Sequence, residues 1–201
     1  MIILGLTGSI GMGKSTTAQM FRDEGVPVHD SDETVHRLYA RKAVPLIDKA
    51  FPGTVVDGVV DRTRLAAAVL NNPAELKRLE AIIHPLVRAE SESFLDTARQ
   101  ADAPVAVLDI PLLFETHGED RVDKIVVVSA SPDIQRERVL ARPTMTEAKF
   151  ASILAKQLPD MEKRRRADYV IDTSMGLEPA RAAVQAILKE LGSASEIIAS
   201  S

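Results

Sequence analysis

The chain contains no cysteine and no tryptophan, and aromatic residues make up only 3% of its 201 positions. Without cysteine there is no disulfide framework and no thiolate metal site, which fits a cytoplasmic protein. With so few aromatics, the core has to be built from Val, Leu, Ile and Ala. No charge of one sign dominates: 25 Lys and Arg stand against 29 Asp and Glu, a net charge of −4. Nucleic-acid binding therefore has no compositional support. Apolar runs are short. The first, Met1 to Thr7, lacks a basic flank and is far too short for a signal peptide or a membrane span, so no membrane partner is expected. Asparagine occurs only at 71 and 72, and neither opens the Asn-Lys-x-Asp pattern of a guanine-reading switch.

What is present is a globular composition, 45% hydrophobic and 27% charged, in a length suited to one domain or a domain with an insert. Gly8-Ser9-Ile10-Gly11-Met12-Gly13-Lys14-Ser15, followed by Thr16, matches G-x-x-x-x-G-K-[ST], the phosphate-binding P-loop. It stands between an apolar run that reads as a buried strand and a stretch, Ser15 to Arg22, that reads as a helix. Gly8, Gly11 and Gly13 are expected to take positive φ and let the backbone approach a ligand. Successive N–H groups would then form an anion nest at a helix N-terminus. Lys14 can reach β and γ phosphates, and the Ser15 hydroxyl can ligate Mg²⁺.

Further along, Val26 to Asp30 reads as a second strand, and Asp30-Ser31-Asp32 lies at its end. Ser31 or Asp32 is expected to cap the helix that follows, and an acid there can also face a substrate hydroxyl or the metal. Residues 41–103 carry almost only helical signals and read as an insert. Asp61 caps one helix and Asn72-Pro73-Ala74-Glu75 starts another. His84-Pro85 should break and restart it.

Val105 to Asp109 is a third buried strand ending in an acid, with the character of a Walker B strand whose Asp assists Mg²⁺. Ile110 to Glu115 reads as a loop and short helix. Lys124 to Val128 is a fourth strand. Ser131-Pro132 opens a helix carrying Arg136, Arg138 and Arg142. The last two share a face and are assigned as phosphate clamps, whereas Arg136 reads as solvated. Thr146 caps a helix through Leu158, and about 142–160 reads as a lid. Glu162 to Arg166 reads as a solvated helix face. Ala167 to Asp172 is a fifth strand, a last helix ends at Gly192, and 192–201 is expected to be a disordered tail. The expected fold is α/β, a P-loop NTPase with a five-stranded parallel sheet, helices on both faces, a helical insert and a lid. The nucleotide core is 1–40 with 104–191, and the insert is 41–103.

These motifs, in this order, resemble the dephospho-CoA kinases. The likeness runs over about residues 2 to 190. It rests on Gly5-Leu6-Thr7-Gly8 entering the P-loop, Asp30-Ser31-Asp32, Asp61-Arg62 with Leu65, and His84-Pro85. It continues through Asp109-Ile110-Pro111-Leu112-Leu113 with Glu115, Gln135 with Arg138 and Arg142, Gln157, and Ala167 to Asp172. The chain departs from the family at Ser9, where Gly is common, at Ser31, where Ala is common, and at Thr173, where Asn commonly follows the last strand.

The resemblance implies phosphorylation of the ribose 3′-hydroxyl of dephospho-CoA by MgATP, with dephospho-CoA as a small-molecule partner. The alternative is another P-loop small-molecule or nucleoside monophosphate kinase. Nucleotide contacts are implied for residues 8–16 and Arg142, and metal contacts for Ser15 and Asp109. Substrate contacts are implied for Asp30, Asp32, His84, Asp109, Leu112 and Leu113. Asp32 is the expected base and Asp30 its rival, with Lys14, Arg138 and Arg142 acting on the transferring group. The sequence sets no oligomeric state.

Overall fold

The computed structural model describes residues 1–70 and 72–199, with side chains through Gly192. The elements run β1 (Ile2–Thr7), α1 (Lys14–Asp23), β2 (Val28–Asp30), α2 (Ser31–Tyr39), α3 (Val44–Ala50), β3 (Val55–Val56), β4 (Val59–Val60), α4 (Arg62–Val69) and α5 (Pro73–Gln100). They continue with β5 (Val105–Asp109), a 3₁₀ turn (Glu119–Arg121), β6 (Lys124–Ser129), α6 (Pro132–Leu140), α7 (Glu147–Leu154), α8 (Asp160–Arg166), β7 (Tyr169–Asp172) and α9 (Leu177–Ala199).

Five strands form a parallel sheet in the order β2-β5-β1-β6-β7. Leu4 of β1 lies opposite Val107 on one side and Lys124 on the other. The chain leaves β1 toward one edge of the sheet and, after β5, crosses to the opposite side. This reversal puts the crevice of the sheet beside the C-terminal end of β1, where the P-loop begins. All five residues of β5 and all but the first of β6 are buried, as expected of parallel strands covered on both faces. Leu4, Leu6, Val105, Val107, Val126 and Val128 point to one face and pack with Ala18 and Phe21 of α1 and Val184 and Ile187 of α9. That core is aliphatic, as the shortage of aromatics requires.

The chain divides into two compact units, 1–29 with 98–201, and 30–97. The second begins at Asp30, earlier than the boundary after residue 40 read from the sequence, so α2 falls within it. Its core is Leu38, Ala43, Ile47, Phe51, Val60, Leu65 and Ile83. Inside it, β3 and β4 form a hairpin whose turn residues, Asp57 and Gly58, both have positive φ, the Asp-Gly preference of such turns.

Several local expectations give way. The α5 helix continues through His84 and Pro85, both exposed, and spans 28 residues. Proline removes one backbone donor there, but the apolar stripe of Leu79, Ile82, Ile83, Leu86 and Val87 packs on both sides of it. Residues 111–117 are hydrogen-bonded turns rather than a helix, closed by Thr116 N–H to Leu112 and Gly118 N–H to Leu113. α7 ends at Leu154, short of Leu158. The helical backbone of α9 passes Gly192 and reaches Ala199, so the expected tail begins as helix, and Ser200 and Ser201 lie outside the described residues.

Candidate active site

The P-loop is shaped by two different uses of glycine. Gly11 and Gly13 have φ of 79° and 94°. Gly8 does not, contrary to expectation; a Cβ there would sit 2.6 Å from the Val128 carbonyl oxygen. Close approach to β6, not handedness, requires glycine at that position. Gly13 is the N-cap of α1 and has no side chain to cap it. The first-turn amides therefore have no competing side-chain acceptor and are placed for an anion.

Four hydrogen bonds from other parts of the chain brace the loop. Gln157 Oε1 accepts the Ile10 N–H at 3.1 Å, and Gln135 Nε2 donates to the Ile10 carbonyl at 2.7 Å. The two glutamines thus clamp both backbone polar groups of one residue, Ile10, from α6 and from the segment after α7. The Met12 sulfur accepts the Ala130 N–H at 3.0 Å, and the Thr173 hydroxyl donates to the Met12 carbonyl at 2.8 Å. Ser9 and Met12 are buried and belong to the frame of the loop. Ser15 and Thr16, on the first turn of α1, are exposed. Gln135 and Gln157 carry part of the family resemblance, but neither spacing nor residue type marks them as loop braces.

Lys14 Nζ is ion-paired with the Asp109 carboxylate. Asp109 is 1% exposed, at the end of β5 opposite Leu6. The P-loop cation and the acid of the Walker B-like strand are therefore direct neighbours. With the Ser15 hydroxyl, Asp109 supplies the few hard oxygen donors that suit a magnesium ion still carrying water and nucleotide phosphates. No group of three or more His, Asp or Glu able to hold a metal unaided occurs among the described residues.

Beside the loop, a cavity of about 360 Å³ is lined by Gly11, Gly13, Thr16, Arg138, Arg142, Thr173 and Leu177, among others. Both predicted arginines reach it. Arg138 donates to the Thr173 hydroxyl and the Thr173 carbonyl, each at 2.8 Å. Arg142 is exposed. Arg136 pairs with Glu147 on the surface, in keeping with its solvated reading. At the neighbouring strand end, the Ser174 amide and hydroxyl hold the Asp172 carboxyl below the ordinary range, with the charges of Arg164 and Arg138 adding to the effect.

The turn after β5 is where the sequence reading needs most correction. Leu112 is 41% exposed and remains available to a ligand, but Leu113 is fully buried. Its side chain sits against Gly5 and Gly118, where added Cβ atoms would meet it at 3.3 and 3.0 Å. It is therefore core and presents no surface to a substrate. In the charge run of α8, Lys163 is 0% exposed. Its ammonium lies 2.8 Å from Glu115 Oε1, which also accepts the Leu158 N–H at 2.8 Å. Burial pushes the Glu115 carboxyl up, but Lys163 and the Leu158 amide outweigh it, leaving the group below its ordinary value. Arg166 of the same helix lies 4.6 Å from the centre of the Phe114 ring and pairs with Glu119.

In the second unit, Asp30 caps α2 by accepting the Glu33 N–H at 2.9 Å, the task that Ser31 or Asp32 was expected to take. Asp32, the second residue of the helix, is exposed, and its side chain has no hydrogen bond or ion pair among the described residues. Asp61 caps α4, and Arg62 contacts the His36 ring nitrogen at 2.7 Å. Burial raises the Tyr39 hydroxyl pKa, partly offset by Arg62. His84 stands exposed on α5.

The model of the dephospho-CoA kinase family matches residues 2–178. A dephospho-CoA kinase of Mesorhizobium japonicum is 69% identical over 191 residues, covering 95% of this chain and 97% of its own. One from Agrobacterium fabrum is 62% identical, covering 96% and 99%. Among solved structures, TT1252 from Thermus thermophilus superposes with a TM-score of 0.82 at 37% identity, covering 94% of this chain and 97% of its own. The dephospho-CoA kinase from Campylobacter jejuni shares the fold, with a TM-score of 0.66 at 21% identity over 94% and 96% of the two chains. A P-loop braced by four hydrogen bonds, its lysine against a buried strand-end acid, and matches along nearly the whole sequence lead to one conclusion: the chain belongs to the dephospho-CoA kinase family.

Proposed function

We propose that the protein transfers the γ-phosphoryl group of ATP to the ribose 3′-hydroxyl of dephospho-CoA, giving ADP and coenzyme A. The observation that carries this reading is the uncapped, four-way-braced P-loop with Lys14 at its mouth, in a chain matched to that family over residues 2–178. A loose phosphoryl-transfer transition state asks for positioning and charge neutralisation more than for covalent help from the protein. The residues present suit that demand. Amides of 11–16 hold phosphate oxygens, and Lys14 exchanges part of its pairing with Asp109 for the transferring group. Ser15 and Asp109 would hold Mg²⁺, which would supply charge neutralisation at the nucleotide phosphates.

Arg138 and Arg142 meet the phosphates from the cavity side. The segment about 142–160 would act as the lid that excludes water, a competing acceptor. Asp32 orients the 3′-hydroxyl and takes its proton. The division of labour between the two acids supports this choice, since Asp30 spends its carboxylate on a helix cap whereas Asp32 is uncommitted. Leu112 and His84, both exposed, are the remaining candidates for contact with the acceptor.

The test is ADP release measured side by side with dephospho-CoA, AMP, CMP, dTMP and pantothenate. Strong preference for dephospho-CoA is expected. Equal or better turnover of a nucleoside monophosphate would replace the reading with a different kinase on the same core.

A further inference from the structure

Thr173 follows the last strand, at the position where the resembling family commonly has Asn. It is 7% exposed and fixed to the sheet edge by its own N–H, which donates to the Ser129 carbonyl at 2.9 Å. A threonine hydroxyl has one proton and two lone pairs. Here the proton goes to the Met12 carbonyl at 2.8 Å, with the Ser129 carbonyl farther off at 3.3 Å. A lone pair accepts from Arg138 at 2.8 Å, and the second arm of the same guanidinium donates to the Thr173 carbonyl. The chain of bonds therefore runs in one direction, from guanidinium to hydroxyl to P-loop carbonyl, each bond polarising the next. Gly13 lies close enough that a Cβ there would be 3.2 Å from both Oγ1 and Cγ2 of Thr173.

We propose that Thr173 is a positioning residue of the transfer step. It joins the Arg138 guanidinium to the Met12–Gly13 turn, so that cation and phosphate cradle are set in one array before the nucleotide arrives. The proposal rests on the reading of Arg138 as a phosphate ligand. Its basis is geometric: a planar two-armed donor is held by two acceptors of a single residue. That leaves the remaining guanidinium donors directed at a fixed place.

Thr173→Val keeps the shape and deletes the hydroxyl; Thr173→Ser keeps the hydroxyl. In steady-state assays of the full chain with MgATP and dephospho-CoA, Thr173→Val should lower kcat about tenfold, the scale of one charge-assisted hydrogen bond. The KM for dephospho-CoA should stay within about twofold, and Thr173→Ser should recover most of the rate. Arg138→Met should be the more damaging single change. Adding Thr173→Val to it should cost less than about threefold more, because the hydroxyl acts through the guanidinium.

Thr173→Val at parental kcat beside an impaired Arg138→Met overturns the proposal and leaves the kinase reading intact. Losses that multiply in the double variant also overturn it. Full activity in Arg138→Met removes the phosphate-ligand reading and this proposal together. A melting curve for Thr173→Val separates the remaining explanation: a rate loss that matches the unfolded fraction at assay temperature counts against it.

Discussion

At the scale of single residues, the proposed mechanism asks the Lys14–Asp109 charge pair to be partly exchanged for the transferring phosphoryl group. A buried carboxylate beside the amine keeps it compact and directed at the loop mouth. Lys14→Ala should remove an interaction that strengthens as charge moves to the leaving oxygen. A kcat loss of about a thousandfold is expected, and near-parental turnover in the ADP-release assay would refute the role. The two acids at the start of α2 separate by readout. Asp32→Asn should lower kcat with the KM for ATP little changed. Asp30→Ala should cost about 1 kcal/mol of stability, the usual worth of an N-cap, seen as a lower melting temperature. If Asp30→Asn, which keeps a capping oxygen, is the inactive variant and Asp32→Asn is active, the roles are reversed.

Sequence and structure part company at residues where burial is decided at long range. Val105 to Leu108 of β5 were legible because the body of a strand covered on both faces is apolar, and Asp109 because an acid ending such a strand stands out. The Asp30-Ser31-Asp32 stretch was legible as a helix start, but the sequence pointed to Ser31 or Asp32 as the cap and Asp30 takes that role, because Asp and Ser cap about equally well and only the exact first turn decides between them. Lys163 was not legible at all. It sits in a run of four basic residues, and only Glu115, brought in from the turn after β5, distinguishes it from its neighbours. Gly8 was recognised for the wrong reason, because the carbonyl that excludes a side chain belongs to another strand.

At the scale of elements, α8 is latched to the turn after β5 by the Lys163–Glu115 pair, the Arg166–Phe114 contact and the Leu158 amide. Leu158 adjoins Gln157, which grips the P-loop, so the latch and the brace share one short segment. Removing one partner of a buried pair leaves the other charge uncompensated. Lys163→Met should therefore cost about 3–5 kcal/mol, and adding Glu115→Leu should recover a large part of it in chemical denaturation.

The pH dependence has a definite sign. Glu115 in the folded state titrates below its ordinary value of 4.5. Its stabilisation is complete above that value and is lost as pH falls through the lower, folded one. Melting temperatures measured below pH 4.5 should fall more steeply for the parent than for Glu115→Gln. Parallel curves would show that the pair does not govern acid stability. α5 makes the opposite point about local rules: a proline that should end a helix is carried by the apolar contacts on either side of it.

For the whole molecule, the division into a unit that carries the P-loop and an inserted, mostly helical unit makes ligand-induced stabilisation a test of the proposed nucleotide site. A non-hydrolysable ATP analogue with Mg²⁺, at about a hundred times its dissociation constant, should stabilise the fold by about 2.7 kcal/mol. The melting temperature should rise accordingly, and Lys14→Ala should abolish most of the rise. An unchanged melting temperature in the parent would argue against the P-loop as the nucleotide site. No helix among the described residues is long and apolar enough to cross a membrane. The broad plan was readable from one end of the sequence to the other, because alternation of apolar strands with helices leaves few topologies open. The extent of the insert was less so: α2 carries the same amphipathic signal in either unit.

The sulfur at this site has a consequence of its own. Met12 is 3% exposed, and its thioether already accepts the Ala130 amide, while the chain contains no thiol. Coenzyme A and its precursor both end in a free thiol. A catalyst for this step that has no cysteine cannot be trapped in a mixed disulfide with its own substrate or product, and enzyme treated with a thiol-alkylating reagent and freed of it before the substrate is added should turn over at the parental rate.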